Sequence, residues 1–327
     1  MLTLKGEWKV ATDVQLEQQK MIIKYGGYTG INLDGFSARQ LRNLKQICQL
    51  TTGMPEFKDI DKKMGALERL SLDEIRSLSR AFCEKYFNLH DIYTVSLGTM
   101  KSKSSEVQDC SSYEEAKAKI ESQLTIINPF DLEIHLLEGN AMSGKVLKPL
   151  ALIEGYENDP DRKMYFSGIE LGNQLNLLSA STLVHEIAHL QQESNIGYAK
   201  DYNNKEIISI FLEKVSSLEA DPTGELLKLS ERRRLVDVMQ KYIELLHLGN
   251  LLSEVDKIDD LMYLKSSLYA EKLFDMYLNE RKQKNRDKYF YGIQDVFDGK
   301  MTVEDLILQK NITAANSQDM SLLKRHM

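Results

Sequence analysis

Cysteine is scarce in this 327-residue chain. The three present, Cys48, Cys83 and Cys110, are an odd number, lie far apart and contain no Cys-x-x-Cys pair, which excludes a disulfide framework and a thiolate zinc site. Positive charge is also in deficit. Lys and Arg number 42 against 49 Asp and Glu, a net charge of −7, so no global field draws the chain to nucleic acid or anionic lipid. No stretch approaches the roughly 18 apolar residues of a membrane span, and the opening MLTLKGEWKVATDVQLEQQK has no apolar signal-peptide core. The expectation is a cytoplasmic protein, with signal-less secretion left open, whose partners are neither nucleic acid nor membrane. Oligomeric state is not readable.

Proline and glycine are sparse as well, 5 and 18 residues, so helices meet few breaks. With 42% hydrophobic and 28% charged residues the composition is that of a globular protein rather than a disordered or collagenous one. Helical periodicity predominates. It predicts helices near 14–25, 37–50 and 71–88, the last opened by the capping box Ser71-Leu72-Asp73-Glu74. Between 92 and 171 the runs DIYTVSL, DLEIHLLE, LKPLALIEGY and KMYFSGIEL are rich in β-branched and aromatic residues, the mark of short strands of one small sheet. A helix at 113–124 separates the first two, and 101–112 reads as an exposed loop. From Leu178 onward the pattern is helical again, with stretches at 226–248 and 257–281. The expected fold is mainly α with a small mixed β-sheet. An N-terminal helical region over 1–90 precedes a catalytic domain over 91–327, with zinc helices near 180–220 and a helical part over 226–327.

The segment Ser181-Thr182-Leu183-Val184-His185-Glu186-Ile187-Ala188-His189-Leu190 carries chemistry. In a helix His185 and His189 leave the same face one turn apart, the spacing that two ligands of one tetrahedral zinc need. Glu186 projects beside them and is placed to take a proton from a water that the metal activates. Strands precede the segment, Ser179 or Ser181 can cap its start, and Leu183, Ile187 and Leu190 make a core stripe. A catalytic zinc keeps three protein ligands and one open position. No histidine follows His189 until His247, so a carboxylate on the next helix is the expected third ligand. Glu206 and Glu213 are the candidates. They share a face with Ser209, opposite Ile207, Phe211 and Leu218, and the one that does not bind can orient a histidine from behind.

Glu206-Ile207-Ile208-Ser209-Ile210-Phe211-Leu212-Glu213 resembles the Glu-Ile-Ala-Ser-Thr-Phe-x-Glu block of the thimet oligopeptidase and oligoendopeptidase F family. There the first Glu is the third zinc ligand, which implies Glu206 here. Residues 263–274 resemble the family's tyrosine-bearing helix, and 299–308 its terminal segment, so the resemblance covers roughly 160–312. It implies a helical gluzincin, zincin-like fold and peptide hydrolysis. Members carry Gly before the second motif His and another His three positions after it; this chain has Ala188 and Gln192. The interval from His189 to Glu206 is also shorter. The family's transition-state tyrosine falls at Asp256, which leaves Tyr263, Tyr269 or Tyr242 to substitute. With no room for the family's large amino-terminal lobe, the cleft is expected to admit a loop or tail of a folded protein.

His247, in ELLHLGN, is a second candidate for oxyanion stabilisation beside Tyr263. A strand just before the zinc helix, 163–171 or 147–156, is expected to offer a free edge to an extended peptide. The expected activity is a Zn2+-dependent metallopeptidase acting on a peptide or protein substrate. Two alternatives stand beside it: a regulatory protease of the phage-repressor-cleaving type with one protein substrate, and a non-catalytic helical binding protein with a structural metal site.

Overall fold

The computed structural model describes residues 60–95, 110–147, 159, 164–194 and 202–234, with 266, 269–271, 273–279, 286–298, 300–303, 305, 306 and 308. The architecture is α+β, mostly helical with small mixed sheets. The chain forms two compact units, one of residues 1–67 and 221–265 and the other of 68–220 and 266–327. In the first, helix α1 (Ile60–Gly65) buries Ile60 and Met64. The helical stretch 225–234 of the same unit is capped by Asp221, whose Oδ2 accepts from the Leu226 amide at 2.8 Å. The expected helices near 14–25 and 37–50, and the continuation of 226–248 past 234, lie outside the described residues.

The second unit begins with helix α2 (Leu72–Tyr86). Its capping box forms as the sequence indicates: the Ser71 side chain accepts from the Glu74 amide, and Glu74 Oε2 accepts from the Ser71 amide at 2.7 Å. Strand β1 (Ile92–Thr94), helix α3 (Tyr113–Glu121), strand β2 (Thr125–Ile127) and a 3-10 turn (Pro129–Asp131) follow, then strands β3 (Ile134–Leu137), β4 (Gly144–Leu147), β5 (Tyr165–Phe166) and β6 (Gly168–Gly172). Helices α4 (Leu177–Ser194), α5 (Tyr202–Ala220) and α6 (Arg286–Phe297) complete the assigned elements. Positions described within 257–281 are helical.

The strands make two three-stranded sheets, β2-β1-β5 and β3-β6-β4, rather than the single sheet expected. The division falls inside KMYFSGIEL. Tyr165 and Phe166 pair with β1, whereas Gly168–Gly172 pairs parallel to β3 and antiparallel to β4. Ser167 sits at the switch, its amide bonded to Leu147 O at 3.0 Å. Of LKPLALIEGY only Leu147 is described, as the last residue of β4.

Helix α4 packs on α5, α2, α6, β1, β4 and β6, and this explains why its apolar stripe is less sharp than expected. Leu183, Ile187 and Leu190 are fully buried, but so are Val184, Ala188 and Gln191. A helix enclosed on all sides needs no polar face, and each large apolar side chain taken from water contributes about 1.5–3 kcal/mol. The enclosed polar groups bond across the interfaces. Ser79 Oγ donates to Ala180 O at 2.9 Å, and Ser217 and Ser181 hydroxyls meet at 3.0 Å. The Gln191 side chain holds both the amide and the carbonyl of His90, at 2.7 and 2.8 Å.

Candidate metal centre

The helix that carries the histidines starts at Asn176. Its Oδ1 accepts from the Leu178 amide at 2.8 Å, and the Ser179 hydroxyl accepts from the Asn176 amide at 3.1 Å. Ser179 is therefore the reciprocal partner of the cap, and Asn176 takes the place expected for Ser179 or Ser181; Ser181 lies inside the helix. This start sets the azimuth of everything downstream, and about two and a half turns on, His185 and His189 emerge on a common face. Their Nε2 atoms lie 3.1 Å apart.

Helix α5 brings Glu206 against both. Its Oε2 is 3.4 Å from His185 Nε2 and its Oε1 is 3.3 Å from His189 Nε2. These three residues form the group of ligand-type side chains that could hold a metal ion, with donor atoms all within 4.8 Å of one another. Glu213, two turns along α5, sits behind. Its Oε2 lies 3.0 Å from His185 Nδ1. Because an ionised carboxylate only accepts, Nδ1 carries a proton, which leaves Nε2 as the nitrogen that faces the shared centre and would give its lone pair to a metal ion. Between the two acids Ser209 accepts from Gln192 Nε2 at 3.2 Å, tying α5 to α4 beneath the histidines. Gln192 thus fills a helix-linking place.

The electrostatics favour positive charge at this centre. Burial opposes charge on His185, but hydrogen bonds to Glu206 and Glu213 outweigh it and push the imidazole well above its ordinary value. Burial likewise penalises Glu206, yet the His189 and His185 imidazoles hold it far below the usual carboxylate range. Both shifts come from the same pairing of imidazole with carboxylate, in which a proton on the histidine supplies the positive charge. Glu206 Oε2 is buried and makes no well-formed hydrogen bond, facing His185 Nε2 at 3.4 Å. Glu186, next to His185 on α4, is buried, and burial raises its carboxyl against the downward pull of the two imidazoles.

His247 and Tyr263 lie outside the described residues, as do Tyr242 and Asp256. Tyr269 is half-buried in a helical stretch. Within the expected strand 163–171, β6 is paired on both sides by β3 and β4, whereas β5 is an edge strand of its own sheet. The edge strand beside the site is β4, which packs on α4; residues 148–156 lie outside the described set. Sequence reasoning missed Asn176 and the short strands β2 and β4, whose three and four residues give no visible alternation. Among the described residues no helix is long and apolar enough to cross a membrane. Compared with protein-family models, curated proteins and solved structures, the chain matches nothing.

Proposed function

We propose that the chain is a zinc-dependent metallopeptidase of the gluzincin, zincin-like type. The observation that carries the reading is the triangle of His185 Nε2, His189 Nε2 and the Glu206 carboxylate, with separations of 3.1, 3.3 and 3.4 Å. Ligands on a tetrahedral zinc with bonds of about 2.0–2.1 Å lie about 3.3 Å apart. Two imidazoles and one carboxylate are also the donor set of a catalytic rather than a closed structural zinc site. The resemblance to the thimet oligopeptidase and oligoendopeptidase F family supports the same ligand, Glu206.

His185, His189 and Glu206 would hold the ion, and Glu213 would fix the His185 tautomer. When bound, the ion supplies Lewis acidity that polarises the scissile carbonyl and acidifies water. Glu186 accepts a proton from the attacking water and delivers it to the leaving amine. A carboxyl whose pKa burial has raised suits both halves of that exchange, since it holds the proton long enough to return it. The β4 edge beside α4 offers main-chain groups to an extended substrate. Tyr263 or His247 would steady the oxyanion.

Incubating the zinc-loaded full chain with a broad peptide library tests the reading. Cleavage is expected from wild type and none from Glu186→Gln, which keeps its zinc. Equal cleavage by the two would defeat the mechanism, and no cleavage by wild type would defeat the peptide substrate class.

A further inference from the structure

Strand β4 and helix α4 come together at Gly144. A Cβ there would stand 2.6 Å from Oε1 and 3.1 Å from Cγ of Glu186, and 2.7 Å from Cγ2 of Thr182. Side-chain carbons do not approach other heavy atoms below 3.0 Å unless something shifts. Gly144 is not in the left-handed region, where Gly224 alone is found among the described glycines. The demand for glycine at 144 is therefore one of space.

The surroundings decide what would shift. Gly144 is held in register opposite Leu171 of β6, and the neighbouring Ser143 carbonyl accepts from the Gly172 amide at 2.8 Å. Thr182 is pinned through its hydroxyl, 3.1 Å from Ala141 O and 3.0 Å from Leu178 O. Glu186, with three rotatable bonds, is the part that can yield. We propose that Gly144 is a positioning residue for Glu186: the missing side chain makes the volume that its carboxylate occupies next to the metal ligands. The inference rests on the peptidase reading for its catalytic meaning, but the steric coupling is measurable apart from it.

The test is a double-mutant cycle in the zinc-loaded full chain carrying Thr182→Ser, which removes the Cγ2 that would also meet the new Cβ and keeps the hydroxyl: this parent, Gly144→Ala, Glu186→Ala and the double variant. Gly144→Ala is expected to lower Tm where Glu186 is present and by less than half as much where Glu186 is truncated. Equal losses in both backgrounds would overturn the proposal. Should Gly144→Ala alone not fold, folding of the double variant supports the coupling and its failure overturns it. In the kinetic arm Gly144→Ala is expected to lower kcat about 100-fold, as a misplacement of roughly 1 Å does, with zinc content unchanged, and to leave the residual rate of Glu186→Ala no lower, since the residue acts through Glu186. Wild-type kcat, or loss of the zinc itself, would overturn the positioning role. A wild-type chain that cleaves nothing defeats the peptide substrate class instead, and the Tm cycle then decides the coupling on its own.

Discussion

His185 Nδ1 and Glu213 Oε2 stand 3.0 Å apart, on the side of the imidazole away from Glu206. The two glutamates of α5 therefore have different tasks, although they occupy equivalent positions on one helical face. Glu206 reaches the Nε2 side that the two histidines share, and Glu213 holds the back of one ring.

From this division comes the prediction that Glu213→Gln and Glu213→Ala still bind zinc, but 10–100-fold more weakly, the usual cost of losing a group that orients a metal-bound histidine. Competition with a chelator of known affinity measures it. An unchanged affinity would show that Glu213 does not set the ring.

The metal-free chain should have a pH-dependent stability of definite sign. His185 has its pKa raised from 6.5 to about 10, so its contribution is complete below about pH 6.5 and is lost as pH rises toward 10. Glu206 is lowered, so its contribution is complete above about pH 4.3, its unfolded value, and is lost as pH falls. Thermal unfolding of the zinc-free chain should accordingly peak between those limits. Adding zinc at pH 7 should release a proton from His185, seen by calorimetry in buffers of different ionisation enthalpy.

Asn176→Ala removes the cap of α4 and leaves the Leu178 amide unbonded. A loss of about 1 kcal/mol is expected in urea unfolding. The substitution touches no ligand, so zinc stoichiometry should not change.

The histidine pair and its glutamate were legible in the sequence because an i, i+4 relation needs nothing beyond one turn of helix. The α2 capping box was legible for the same reason. Choosing between Glu206 and Glu213 required the packing of α5 on α4, which a local pattern does not carry; on residues alone both stayed open. The single expected sheet became two because Ser167 redirects the chain between neighbours distant in sequence. Gly144 gave no signal at all, since its role depends on Glu186, which reaches it only across the interface of a strand and a helix.

The central claim is that His185, His189 and Glu206 hold one ion that leaves a position open. Zinc content of the purified full chain, measured for wild type and Glu206→Ala at matched protein concentration, tests it most directly. One zinc per wild-type chain and a large loss in the variant are expected. Wild type without zinc, or full zinc in Glu206→Ala, would overturn the three-residue site.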